Sequence, residues 1–164
     1  IGFIEKVIDH HKNQYDIKSV IVIGMSNGGM LAQAIACNLT DKVDAIINIE
    51  GMQALGMSCI PDKPLTMVIY GAKNDTTVPP EDILASDGYF YEPMKNTVND
   101  WKNAFNCSSS TKKQILNPAK ITEEHFYDCN DGVTITSILD HNNDHDWPKP
   151  YKWGIDLLFA PILN

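Results

Sequence analysis

A chain of 164 residues of which 43% are apolar is long enough to bury a core and is expected to form one domain over 1–164. Thirteen basic residues against 21 acidic ones leave a formal charge of −8, which disfavours phosphate backbones and anionic lipid. Nucleic acid and membrane surfaces are therefore excluded as expected partners, and no apolar run approaches the length of a membrane span. Ile1, Ile4, Val7, Ile8 and His11 recur at helical spacing, so residues 2–14 read as an amphipathic helix. A chain that opens inside a helix is expected to lack an N-terminal portion. Residues 19–23 form a continuous apolar run that reads as a buried strand of a parallel sheet. A helix over 27–38 and a short strand over 43–49 follow, then a loop over 51–63 that has glycine, proline and a cysteine. Residues 65–70 read as a third strand, and 71–80 as a polar turn ending in Pro79-Pro80. Residues 92–105 are helical, with Met94, Val98, Trp101 and Phe105 on one face. Strand candidates over 111–116, 125–128 and 133–139 precede a polar loop over 140–150 and a closing helix over 151–159. Strands alternating with helices predict an α/β fold with a mostly parallel sheet flanked by helices.

The stretch Gly24-Met25-Ser26-Asn27-Gly28-Gly29 lies between the first strand and the second helix. Strand, sharp turn, serine and helix is the context of a nucleophile elbow, with Gly24 and Gly28 expected where a Cβ would clash. The serine hydroxyl stands at the tip, and the backbone N–H of Asn27 faces a developing oxyanion at the positive end of the helix. Such a serine needs a base, and the base an orienting acid. Asp75 follows the third strand, where an acid would stand, although an Asn-Asp pair also suits an Asx turn. Asp82 and Asp87 are alternatives further along the same loop. Of five histidines, His10 and His11 precede the elbow and read as surface residues, and His125 falls in a strand candidate. His145, in the loop after the last strand, stands where the base is expected, with His141 as the runner-up. Trp147 either lines the site or packs in the core. Cys37, Cys59, Cys107 and Cys129 form no C-x-x-C pair. Their even count fits two disulfides in an oxidising compartment, or four buried thiols in a reducing one.

Taken together, Gly24-Met25-Ser26-Asn27-Gly28-Gly29-Met30, Tyr70-Gly71-Ala72-Lys73-Asn74-Asp75-Thr76-Thr77-Val78-Pro79 and His145-Asp146-Trp147-Pro148 resemble the secreted polyhydroxybutyrate depolymerase and feruloyl esterase family. The resemblance runs from the first helix to the end of the chain. It implies an α/β-hydrolase fold, with Ser26 as nucleophile, Asp75 as acid, His145 as base, the Asn27 N–H in the oxyanion hole and Trp147 against substrate. It implies carboxylic-ester hydrolysis through an acyl-enzyme, on a polyester or a polysaccharide-linked ester, with no metal or organic cofactor. It further implies disulfides Cys37–Cys59 and Cys107–Cys129, and export. The chain departs from the family in two ways. Asn142-Asn143-Asp144 stands where glycines usually precede the histidine, which predicts a differently set histidine loop. The family's N-terminal half, with the first strands and a second oxyanion donor, has no counterpart here. That leaves a non-catalytic remnant or binding module as the alternative.

Overall fold

The computed structural model describes residues 1–116, 120–148 and 154–163. In chain order its elements are α1 (Gly2–Gln14), β1 (Ile21–Met25), α2 (Asn27–Asn38), β2 (Ala45–Ile49), β3 (Thr66–Ala72), α3 (Met94–Ala104), β4 (Ser109–Ile115), β5 (Ile121–Tyr127), β6 (Ile135–Asp140) and α4 (Gly154–Leu163). The strands form one sheet in the order β1-β2-β3-β6-β5-β4. β1, β2, β3 and β6 are parallel to one another, whereas β5 pairs antiparallel with both β6 and β4.

This mixed sheet corrects the expected fold. The general α/β class stands and the sheet is mostly parallel, but it has an antiparallel part formed by β4 and β5, and an α/β-hydrolase architecture is not what the chain displays. The cause lies in connection length. A parallel crossover needs a dozen or more residues, whereas only 116–120 separate β4 from β5 and 128–134 separate β5 from β6. Such short links permit only antiparallel pairing. β4 also carries Ser, Thr, Lys and Gln at mostly exposed positions, as suits an outer strand.

Alternation along the central strands divides the core between the two sheet faces. Ile46, Met67, Ile69 and Ile135 point to one face, where Ile8, Ile35, Val98 and Trp101 from α1, α2 and α3 cover them. Ile47, Ile49, Val68, Tyr70 and Ile138 point to the other, against Leu158 of α4. Every residue of β2 is buried, the property of a strand covered on both faces. β1 is different. It pairs only with β2, its outer edge has no strand partner among the described residues, and Ile23 is 44% exposed. The apolar run expected to be a buried strand is therefore an edge strand.

The expected face of α3 is found, with Met94, Val98, Trp101 and Phe105 all buried. The helix starts two residues later than the pattern predicts because Pro93 holds the extended N-cap position. The expected closing helix is found as Gly154–Leu163, while its first three expected positions, 151–153, lie outside the described residues.

Candidate active site

Ser26 sits between β1 and α2 with φ 55° and ψ −124°, a region that costs a non-glycine residue about 1–3 kcal/mol. Neighbouring hydrogen bonds hold it there. The Ser26 N–H donates to the Ile49 carbonyl at 2.8 Å, and the Met30 N–H donates to the Ser26 carbonyl at 3.0 Å. A Cβ on Gly24 would lie 2.0 Å from the Gly28 carbonyl oxygen, so the strand side of the turn admits only glycine. The expectation for Gly28 is corrected, because a Cβ there meets nothing within 4 Å. The second tight position is Gly29, whose Cβ would lie 2.3 Å from Asn48 Oδ1 and 3.0 Å from the Gly51 Cα. The start of α2 thus packs backbone to backbone on the loop after β2. The Asn27 N–H lies in the first helical turn, where amides have no intrahelical acceptor.

Asp75 and His145 converge on this serine. His145 Nδ1 lies 2.7 Å from Asp75 Oδ2, and His145 Nε2 lies 2.9 Å from Ser26 Oγ. A carboxylate only accepts, so Nδ1 carries the proton and donates to Asp75, which leaves Nε2 to accept from the Ser26 hydroxyl. Asp75 also makes the Asx turn that its neighbours suggest. Its Oδ1 accepts from the Thr77 and Val78 N–H groups at 2.8 and 2.9 Å, which aims Oδ2 at the histidine. Asp75 has no exposed side-chain surface, and His145 retains 21%.

The histidine loop is set by Asn142 and Asn143, named in the sequence, together with Asp140 and Tyr70, which sequence reasoning did not single out. Asp140, at the end of β6, accepts from the Asn142 and Asn143 N–H groups through Oδ1, and from the Tyr70 hydroxyl through Oδ2 at 3.0 Å. Asn143 donates through Nδ2 to the Tyr70 hydroxyl and to the Asp146 carbonyl. The Lys73 N–H to Asp140 and the Asn74 N–H to Asn143 then stitch the acid loop to the histidine loop. Burial and the neighbouring Asp140 push the Tyr70 phenol far above its ordinary range, so it remains a donor at all working pH. The asparagines that replace the expected glycines therefore anchor the loop and leave His145 within reach of Ser26. The only sequence signal for this network is the asparagine pair itself.

Glu50 is the other residue missed. It follows β2 directly, has φ 50°, and its side chain is fully buried. Its Oε2 lies 3.5 Å from His145 Nδ1, and neither carboxyl oxygen makes a hydrogen bond among the described residues. Burial first, then the charges of Asp75, Asp146, Asp144 and Asp140, push this carboxyl up to about 9. Glu50, Asp75 and His145 each place one potential ligand atom within 4.8 Å of the others. Two ligand atoms of one tetrahedral zinc stand about 3.3 Å apart. The 2.7 Å between Asp75 and His145 is the separation of a hydrogen-bonded pair instead.

The alternatives lie elsewhere. Asp82 is exposed, and Asp87 accepts from the Tyr91 hydroxyl at 2.7 Å. His141 Nε2 is bonded to Thr122 Oγ1, His125 Nδ1 to Thr136 Oγ1, and His10 and His11 are exposed on α1. Trp147 is 57% exposed, which removes the core reading and leaves it on the surface two positions beyond His145. A cavity of about 590 Å³ lies between α3 and strands β4 to β6, and Ser26, Asp75 and His145 do not line it.

Both disulfides form in the implied pairing, Cys37–Cys59 and Cys107–Cys129. They fit an oxidising, extracellular compartment. No helix among the described residues is long and apolar enough to cross a membrane. The chain matches no family model and no curated protein sequence.

Proposed function

We propose that the chain is a secreted serine hydrolase of carboxylic esters, related to the polyhydroxybutyrate depolymerases and feruloyl esterases. The observation that carries this reading is the unbroken line of hydrogen bonds from Ser26 Oγ through His145 to Asp75, made by residues 119 and 70 positions apart in sequence. In this reaction His145 takes the Ser26 proton as Oγ attacks the ester carbonyl, and Asp75 holds the imidazole in the tautomer that makes Nε2 the acceptor. The Asn27 N–H, at the positive end of α2, stabilises the oxyanion. The alcohol leaves with the proton returned by His145, and water then resolves the acyl-enzyme with His145 again as base. Trp147 contacts the substrate.

Exposed apolar side chains on the loops that leave β2 and β3 support an apolar or aromatic ester. The loops leaving β2 and β3 are joined by a bridge between Ala54 and Tyr91, and they expose Leu55, Met57, Leu84 and Tyr89. The two disulfides support export. The test is hydrolysis of p-nitrophenyl acetate together with labelling by a fluorophosphonate probe. Ser26→Ala is expected to lose both, with the rate falling by more than about 10⁴-fold. Activity retained by Ser26→Ala removes Ser26 as nucleophile. A folded wild-type chain that takes no label overturns the hydrolase reading and favours the non-catalytic alternative.

A further inference from the structure

Glu50 has no task in the reaction just described, yet its side chain is fully buried beside the reacting imidazole. Buried carboxyls without partners are rare, because the desolvation cost is not offset. Its Oε2 is 3.5 Å from the same His145 nitrogen that donates to Asp75 at 2.7 Å. The groups that face it are Asp75 on the loop after β3, Asp140 at the end of β6, and Asp144 and Asp146 beside His145. Tyr70 of β3 lies near as well. All are acids, so His145 is the single group among them able to carry a positive charge.

We propose that Glu50 is a second acid for His145, a positioning residue that stands behind Asp75 at Nδ1 and takes over the Nδ1–H when the Asp75 carboxylate is lost. This rests on the hydrolase reading above. With Asp75 in place one carboxylate orients the imidazole, and Glu50 keeps its proton because a second buried anion would be repelled. Of the charges that hold it neutral, Asp75 contributes most. Removing Asp75 lets Glu50 ionise at lower pH, and its Oε2 needs to move less than about 1 Å to reach hydrogen-bond distance. An Asp75→Asn substitution differs, because the amide offers an N–H to Nδ1 and forces the wrong tautomer. A residue that merely filled space would not distinguish these variants.

The experiment has two readouts. The first follows the His145 ring protons by NMR from pH 5 to 10.5 in wild type and Glu50→Gln, which does not depend on turnover. A second inflection near pH 9 in wild type, absent in Glu50→Gln, is expected from the ionisation of Glu50 beside the ring. The second is the pH profile of kcat/KM on p-nitrophenyl acetate for Asp75→Ala, Asp75→Asn and Asp75→Ala/Glu50→Gln. Asp75→Ala is expected to gain activity as pH rises toward 9, and to exceed both other variants by about tenfold or more there, the equivalent of one pKa unit of preference. Asp75→Ser, whose hydroxyl can still cap the Thr77 turn, replaces Asp75→Ala if the latter does not fold. Identical profiles for the single and double variants, or one identical inflection in wild type and Glu50→Gln, overturn the proposal. A wild type that shows the second inflection but takes no fluorophosphonate label sinks the hydrolase reading, and with it the role of Glu50 as an acid for catalysis.

Discussion

Asn143 donates through Nδ2 to the Tyr70 hydroxyl at 3.2 Å across 73 positions of sequence, and so pins the histidine loop to a central strand. Asn143→Ala removes this bond and the one to the Asp146 carbonyl while leaving Ser26, Asp75 and His145 in place chemically. Misplacement of a reacting group by about 1 Å costs about 10²-fold. The variant is expected to lose about tenfold to a hundredfold in kcat with a smaller change in KM, and the kcat-against-KM split on p-nitrophenyl acetate checks it.

The two elbow glycines separate cleanly. At Gly24 an added Cβ would stand 2.0 Å from the Gly28 carbonyl oxygen, whereas at Gly28 it meets nothing within 4 Å. Gly24→Ala is expected to destabilise the fold by several kcal/mol, in the range of overpacked or strained sites at about 1–3 kcal/mol or more. Gly28→Ala, in the first turn of α2, is expected to be neutral or stabilising by up to about 1 kcal/mol. Urea unfolding of the two variants checks the order.

The raised Glu50 carboxyl makes stability depend on pH with a definite sign. Between its ordinary value of 4.5 and about 9 the unfolded chain has released this proton and the folded chain has kept it. The folded state therefore binds more protons, and this contribution to stability falls as pH rises through that window. Glu50→Gln abolishes the dependence, and at pH 7 the relief is on the order of 3 kcal/mol. Urea midpoints at pH 5, 7 and 9 for both proteins measure it. Parallel pH dependence in the two proteins would contradict the assignment.

Each disulfide joins positions 22 apart. Loop-closure entropy assigns such a link about 3 kcal/mol. Cys37–Cys59 ties the loop after β2 to α2, and the Trp101 indole N–H donates to the Cys59 carbonyl at 2.8 Å, so the same point anchors α3. Replacing Cys37 and Cys59 together with serine is expected to lower stability by about this amount and to speed proteolysis within 51–63. Denaturant unfolding and limited proteolysis report both effects.

Local pattern made much of this chain legible. The apolar runs of β2 and β3, the amphipathic face of α3 and the strand-serine-helix elbow are properties of adjacent residues, and periodicity exposes them. The candidate positions of Asp75 and His145 followed from where loops leave strands. What local pattern could not supply was the pairing of strands. β4 and β5 read as strands, but their antiparallel direction depends on links too short for a crossover, and it turned an expected hydrolase sheet into a mixed one. Nor could it reveal Glu50, Asp140 and Tyr70. Each is unremarkable among its sequence neighbours, and each acquires its role only where the ends of β2, β3 and β6 meet. Burial, proximity of like charges and hydrogen bonds spanning 70 or more positions exist only once the chain has closed on itself. Those are the forces that set the electrostatics of this site.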